Sequence, residues 1–162
     1  MKRGRSCSSG TRTAVSSSNY LASTYPKDVA GLVLLDITSQ YIKQMETPQE
    51  YAALVAAGRK AQNAAGERLE LGRAIDAVLS VPAIPPVPAV VFVANKHNKG
   101  ESPAMAAHIA QAQLLLAKRL NAKLITNVNS GHHIHVEQPQ LVIAATREVV
   151  EAARKANGSA AP

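Results

Sequence analysis

The sequence is poor in aromatic side chains, cysteine and, over its first stretch, negative charge. It has no Trp, one Phe and four Tyr, so any core is built from Ala, Val, Leu and Ile. The lone cysteine, Cys7, excludes an internal disulfide and a cysteine-rich zinc site. It fits a reducing compartment. No acid precedes Asp28, whereas Lys2, Arg3, Arg5 and Arg12 lie ahead of it and supply four of the seven excess positive charges. Bases do not alternate with aromatics as a stacking surface for nucleic acid requires. A solvated basic segment is expected instead. The opening Met-Lys-Arg-Gly-Arg is followed by Ser, Thr and Gly rather than an apolar stretch, which argues against a secretory signal and for a cytoplasmic protein. No apolar run approaches the roughly 20 residues of a membrane span. The expectation is a soluble protein with no membrane partner.

A chain of 162 residues predicts one domain with a real core. Residues 1–12, rich in Ser, Gly and Arg, predict a disordered basic tail. A helix is expected from about Thr13 to Thr24, with Ala14, Val15, Leu21 and Ala22 as its apolar positions. Tyr25-Pro26 ends it, because the residue before proline avoids the helical region. Val29 to Leu35 is a continuous apolar run closed by Asp36, the mark of a strand covered on both faces of a parallel sheet. Ala89–Ala94 and Leu124–Val128 read the same way. Between them Pro103–Leu120 predicts a helix, with Ile109, Leu115, Leu116 and Leu120 among its apolar positions.

Gln138–Lys155 predicts the last helix, with Pro139 in its first turn. Its sheet-facing positions are Leu141, Val142, Ala145, Val149 and Val150. Strands alternating with helices at this spacing give an α/β fold with about three parallel strands, the first at an edge. An edge strand offers unpaired backbone groups, hence self-association. The stretch 38–80 is too long for a simple crossover and predicts two or three helices broken near Gly58 and Gly66. These form a lid-like insertion or extra packing helices. The domain then spans 13–156, with a frayed tail over 157–162.

The most informative segment is Ser130-Gly131-His132-His133-Ile134-His135-Val136-Glu137-Gln138-Pro139. A histidine on a loop at the carboxyl end of a strand stands where α/β sheets place their chemistry. Gly-His followed shortly by Gln-Pro resembles the catalytic-histidine loop of the α/β-hydrolase family. Leu21 to Asp36 resembles the same family's helix and strand after the nucleophile elbow, and the likeness covers roughly four fifths of the chain.

The resemblance implies a partial α/β-hydrolase fold, about three parallel strands flanked by helices with a short helical lid. It implies an ester- or amide-type hydrolase acting by acyl transfer on a small ester-like substrate, without cofactor. His132, directly after Gly131, takes the place of the catalytic histidine, general base and then general acid. The family's usual acid position here reads Ala94-Asn95-Lys96-His97-Asn98, without a carboxylate. Asp36, at the end of the preceding strand, is the alternative home for the acid. Glu137 is too close in sequence to His132 for that role. His133 and His135 are expected to pack or face solvent, and with no carboxylate set nearby no metal site is expected.

The elbow, Gly-x-Ser-x-Gly on a strained strand-to-helix turn, has no counterpart. Counting back from Pro26 puts Arg12 of Gly10-Thr11-Arg12-Thr13-Ala14 at the serine position, while Gly4-Arg5-Ser6-Cys7-Ser8 lies too far from the helix. The expectation is therefore a weak or inactive hydrolase. Its alternative is a non-catalytic interaction protein that pairs through its exposed sheet edge.

Overall fold

The structure, a computed structural model, describes residues 6–10, 14–64, 70–81, 84, 86–96 and 102–158; side chains are described for 18–60, 70–81, 84, 86–96 and 102–156. Lys2, Arg3, Arg5, Arg12, Gly66, Leu69, His97, Asn98 and the last four residues lie outside the described residues.

One sheet carries four parallel strands in the order β1 (Ser6–Gly10), β2 (Val29–Leu35), β3 (Ala89–Ala94) and β4 (Lys123–Val128). The three expected strands are present, adjacent and parallel. Their continuous apolarity has a direct cause in the packing. Leu32, Leu34 and Val91 enter one core with Leu116 and Leu120, whereas their neighbours Val33, Leu35, Val90 and Phe92 enter a second core with Ala145 and Val149. Successive residues point to opposite faces, and both faces are covered. β4 ends the sheet with exposed Lys123, Thr126 and Asn127, a polar edge that discourages further pairing.

β1 corrects two expectations. Ser6–Gly10 is a strand, not part of a disordered tail, and β2 is therefore interior rather than at the edge. Ser-Cys-Ser-Ser-Gly carries no apolar pattern, so nothing local announces a strand. The ladder itself supplies the reason, because β2 presents a row of backbone donors and acceptors that any extended segment can satisfy.

Helices fill both faces. α1 (Ala14–Thr24), α2 (Pro48–Ala64), α3 (Leu71–Ser80), α4 (Pro103–Leu120), the single turn α5 (Ile134–Glu137) and α6 (Pro139–Gly158) follow in chain order, with a 3-10 turn at Gln40–Gln44. α4 begins on Ser102, whose Oγ accepts the Met105 N–H at 3.1 Å, and ends on Asn121 in the left-handed region at φ 49°. Three apolar positions expected inside are exposed: Leu21 on α1, Leu115 on α4 and Leu141 on α6. Each helix covers the sheet with a narrower stripe than its sequence offered.

α2 runs through Gly58 without the expected break. A Cβ there would stand 3.1 Å from Leu71 Cδ2, so the glycine admits α3 at close range. The 3-10 turn and α3 pack on α4 through Ile42, Ile75 and Ile109, and His108 Nδ1 lies 2.7 Å from Glu46 Oε1. At Gly31 helix and sheet approach closely: a Cβ would overlap Val149 Cγ1 and stand 3.0 Å from the Pro88 carbonyl oxygen. Gly31→Ala is therefore expected to destabilise by about 1–3 kcal/mol through overpacking, read from the midpoint of urea unfolding. An unchanged midpoint would show that α6 yields freely.

Candidate functional site

The carboxyl ends of β2 and β4 bring Asp36 and His132 together across 96 positions of sequence. His132 Nδ1 lies 3.1 Å from Asp36 Oδ2. Asp36 follows the last residue of β2 and takes φ 45°, a left-handed conformation that aspartate tolerates better than most residues. The bend turns its carboxylate back over the sheet. Oδ1 accepts the Ala94 N–H at 3.3 Å and the Gln113 amide Nε2 at 3.2 Å, while Oδ2 meets the histidine. The Asp36 side chain is 4% exposed and that of His132 18%, so the imidazole is the more accessible of the two.

Gln113, on α4 and fully buried, holds the carboxylate from behind. Its Nε2 bridges Asp36 Oδ1 and the Ile37 carbonyl, at 3.2 and 2.8 Å. The two bonds set both the side chain and the chain direction leaving β2. Its sequence signal is a polar residue within the helix stripe formed by Ile109, Ala112, Leu116 and Leu120. Such a buried polar position asks for a partner.

The loop bearing His132 is fixed from several sides. Lys96 N–H donates to the Ser130 carbonyl at 3.1 Å and Asn95 N–H to that of Val128 at 3.2 Å, so the β3 and β4 loops stay paired past the sheet. Gln138 Nε2 donates to the Asn129 carbonyl at 3.2 Å, and fully buried Ile134 anchors α5 in the core. Glu137 closes a clasp: its Oε1 accepts the Gly131 N–H at 3.0 Å and its Oε2 pairs with Lys96 Nζ at 3.3 Å. Through these two bonds it braces the loop backbone. The Gly131 N–H, then the Lys96 ammonium, hold the Glu137 carboxyl below the usual carboxylate range. A lowered acid contributes loop stability at higher pH and loses it as pH falls through its own lowered value. The protection of the Gly131 amide, its exchange measured against the intrinsic rate at the same pH, should accordingly fall several-fold in Glu137→Ala and at strongly acidic pH. Unchanged protection in both would remove the clasp.

His133 and His135 stand beside His132 as a ring series, with centroids 5.3 Å and then 5.9 Å apart. Among the described residues no group of three or more His, Cys, Asp or Glu side chains is placed to hold a metal ion. No described helix is long and apolar enough to cross a membrane. On the other side of β2, the parallel strand β1 ends at Gly10 on the same rim of the sheet, and α1 begins at Ala14. Arg12 lies between them, outside the described residues.

No protein-family model matches the sequence, and no curated protein matches it. Solved structures do. A probable hydrolytic enzyme from Pseudomonas aeruginosa PAO1 superposes with a TM-score of 0.54 at 19% identity, over 90% of this chain and 63% of that one. An N-acyl homoserine lactone degrading enzyme gives 0.57 at 16% identity, over 90% of this chain and 68% of that one. The chain thus spans about two thirds of the length of each, and the likeness is one of fold. The chain has a partial α/β-hydrolase fold.

Proposed function

We propose that Asp36 and His132 are the acid and base of a Ser-His-Asp type hydrolytic site whose serine position is occupied by Arg12, leaving this chain a weak or inactive hydrolase of small ester-like substrates. The 3.1 Å contact between the two side chains carries the reading. A carboxylate only accepts hydrogen bonds, so the imidazole proton sits on Nδ1 and the lone pair on Nε2. In that tautomer Nε2 takes the proton from an attacking hydroxyl and returns it to the leaving alcohol or amine, while Asp36 steadies the imidazolium. The chemistry needs no cofactor. The order β1, connection, α1 supports placing the elbow at residues 10–14, and an arginine there has no hydroxyl to deprotonate.

Nitrogen NMR of the His132 ring tests the pair. The Nδ1–H tautomer is expected in the native protein and a shift toward Nε2–H in Asp36→Asn, whose amide can donate. A tautomer indifferent to that substitution would sink the dyad. Fluorophosphonate labelling tests the nucleophile, with no serine expected to react. One labelled serine among Ser6, Ser8, Ser9 and Ser16 to Ser18, lost in His132→Ala, would overturn the inactivity.

A second reading rests on β1 alone, the terminal strand of the sheet. The edge open to pairing moves from β2 to β1, and through it the chain acts as an interaction protein that associates with its own copies. Sedimentation equilibrium should then show dimers that Ser8→Pro dissolves. A monomer at all concentrations removes this reading.

A further inference from the structure

We infer that a lateral cavity between α1, α3 and α4 binds a small monocarboxylate with a short apolar chain, at a site separate from the Asp36–His132 pair. The cavity measures about 380 Å³, and neither Asp36 nor His132 lines it. Ligand pockets run from roughly 300 to 1,000 Å³, so the volume suits a small molecule. Val78, Ile84, Leu116 and Leu120 give it an apolar wall, and Ser23, Gln40, Tyr41 and Arg119 give it donors. Among the described residues no carboxylate lines it.

Two observations assign the ligand's charge. Arg119, an exposed residue of α4, lines the cavity and has no ion-pair partner among the described residues, so its guanidinium is available to a ligand there. Its planar fork matches the two oxygens of a carboxylate. Gln40 is 7% exposed and its Oε1 accepts from Asn19 Nδ2 at 3.5 Å. The amide is thereby oriented with its oxygen engaged by α1, and Nε2 has no partner among the described residues. Water reaches that donor, and a ligand acceptor beside the arginine would take the water's place. A carboxylate supplies that acceptor, and an alkyl chain fills the space along Leu116 and Leu120.

Isothermal titration of the full chain with octanoate, octyl phosphate and 1-octanol tests the site without reference to hydrolysis. Octanoate is expected to bind saturably, tighter than about 1 mM, and to lose about tenfold or more in Arg119→Gln. Ser23→Phe, which fills the cavity, should abolish binding. Arg147→Gln, on an exposed face of α6, should leave it unchanged, and circular dichroism verifies that each variant is folded. Absence of saturable octanoate binding would overturn the site, as would binding equal in all variants. Preference for octyl phosphate or for octanol would overturn the carboxylate assignment.

Discussion

A short activated ester is expected to be hydrolysed no faster by this chain than by its His132→Ala variant. On the proposed assignment the reason is the missing hydroxyl rather than a misplaced base. In triad enzymes, removal of the nucleophile lowers kcat by about a millionfold, and what survives comes from the oxyanion site and substrate binding. On the proposed assignment, which puts Arg12 at the serine position, the lone pair on His132 Nε2 has no serine proton to accept there. Arg12→Ser is the complementary arm. If the elbow lies between β1 and α1, the new serine should react with fluorophosphonate, and His132→Ala in the same chain should suppress the reaction. Equal background turnover in the native protein and His132→Ala, together with labelling gained by Arg12→Ser, is the expected pair of results. Native turnover well above that of His132→Ala would identify a nucleophile elsewhere in the chain.

β2 and β3 are legible because both faces of each are covered: Val33 and Leu35 face one core, Leu32 and Leu34 the other, leaving an uninterrupted apolar run, whereas β4 shows itself only through Leu124, Ile125 and Val128 between exposed polar residues. β1 is illegible for the converse reason. Ser6–Gly10 owes its conformation to the backbone of β2, and hydroxyls and glycine record nothing of that pairing. The same contrast divides the candidate site. Asp36 and His132 announce themselves by standing at the ends of strands, one closing an apolar run and the other following a glycine turn. Gln113 and Glu137 do not, because their importance lies in what they touch across the fold: a carboxylate 77 positions away for Gln113, and the loop amide of Gly131 for Glu137. Gly58 shows the limit of local rules in another form. Read alone it breaks a helix, whereas in place it makes room for Leu71.

Phe92→Ala is expected to cost about 3–5 kcal/mol, the largest stability effect of any single truncation in this chain. Phe92 is the only phenylalanine, fully buried on β3 in the core that also holds Val128, Ile134 and Val149. With no tryptophan in the chain, no buried residue of comparable size stands ready to fill the space. The strands on either side fix the backbone, so collapse of the cavity must come from Ile134 or from α6. Ile134 lies two residues after His132 and anchors the turn that carries the histidine loop. The lost transfer energy and the cavity therefore act on the site as well as on the sheet. For a domain whose total stability lies within about 5–15 kcal/mol, a large part of the folded population's margin disappears. Urea unfolding should show the midpoint falling with little change in slope. Proton–nitrogen spectra at low urea should show the resonances of Gly131 to His135 moving more than those of α4's amino-terminal turn. Phe92→Leu, which retains most of the volume, should recover the greater part of both effects. If Phe92→Ala loses less than about 1.5 kcal/mol, as volume-conserving swaps do, the core around β3 is loosely packed. If the histidine-loop resonances then stay in place, Ile134 does not couple that core to the site.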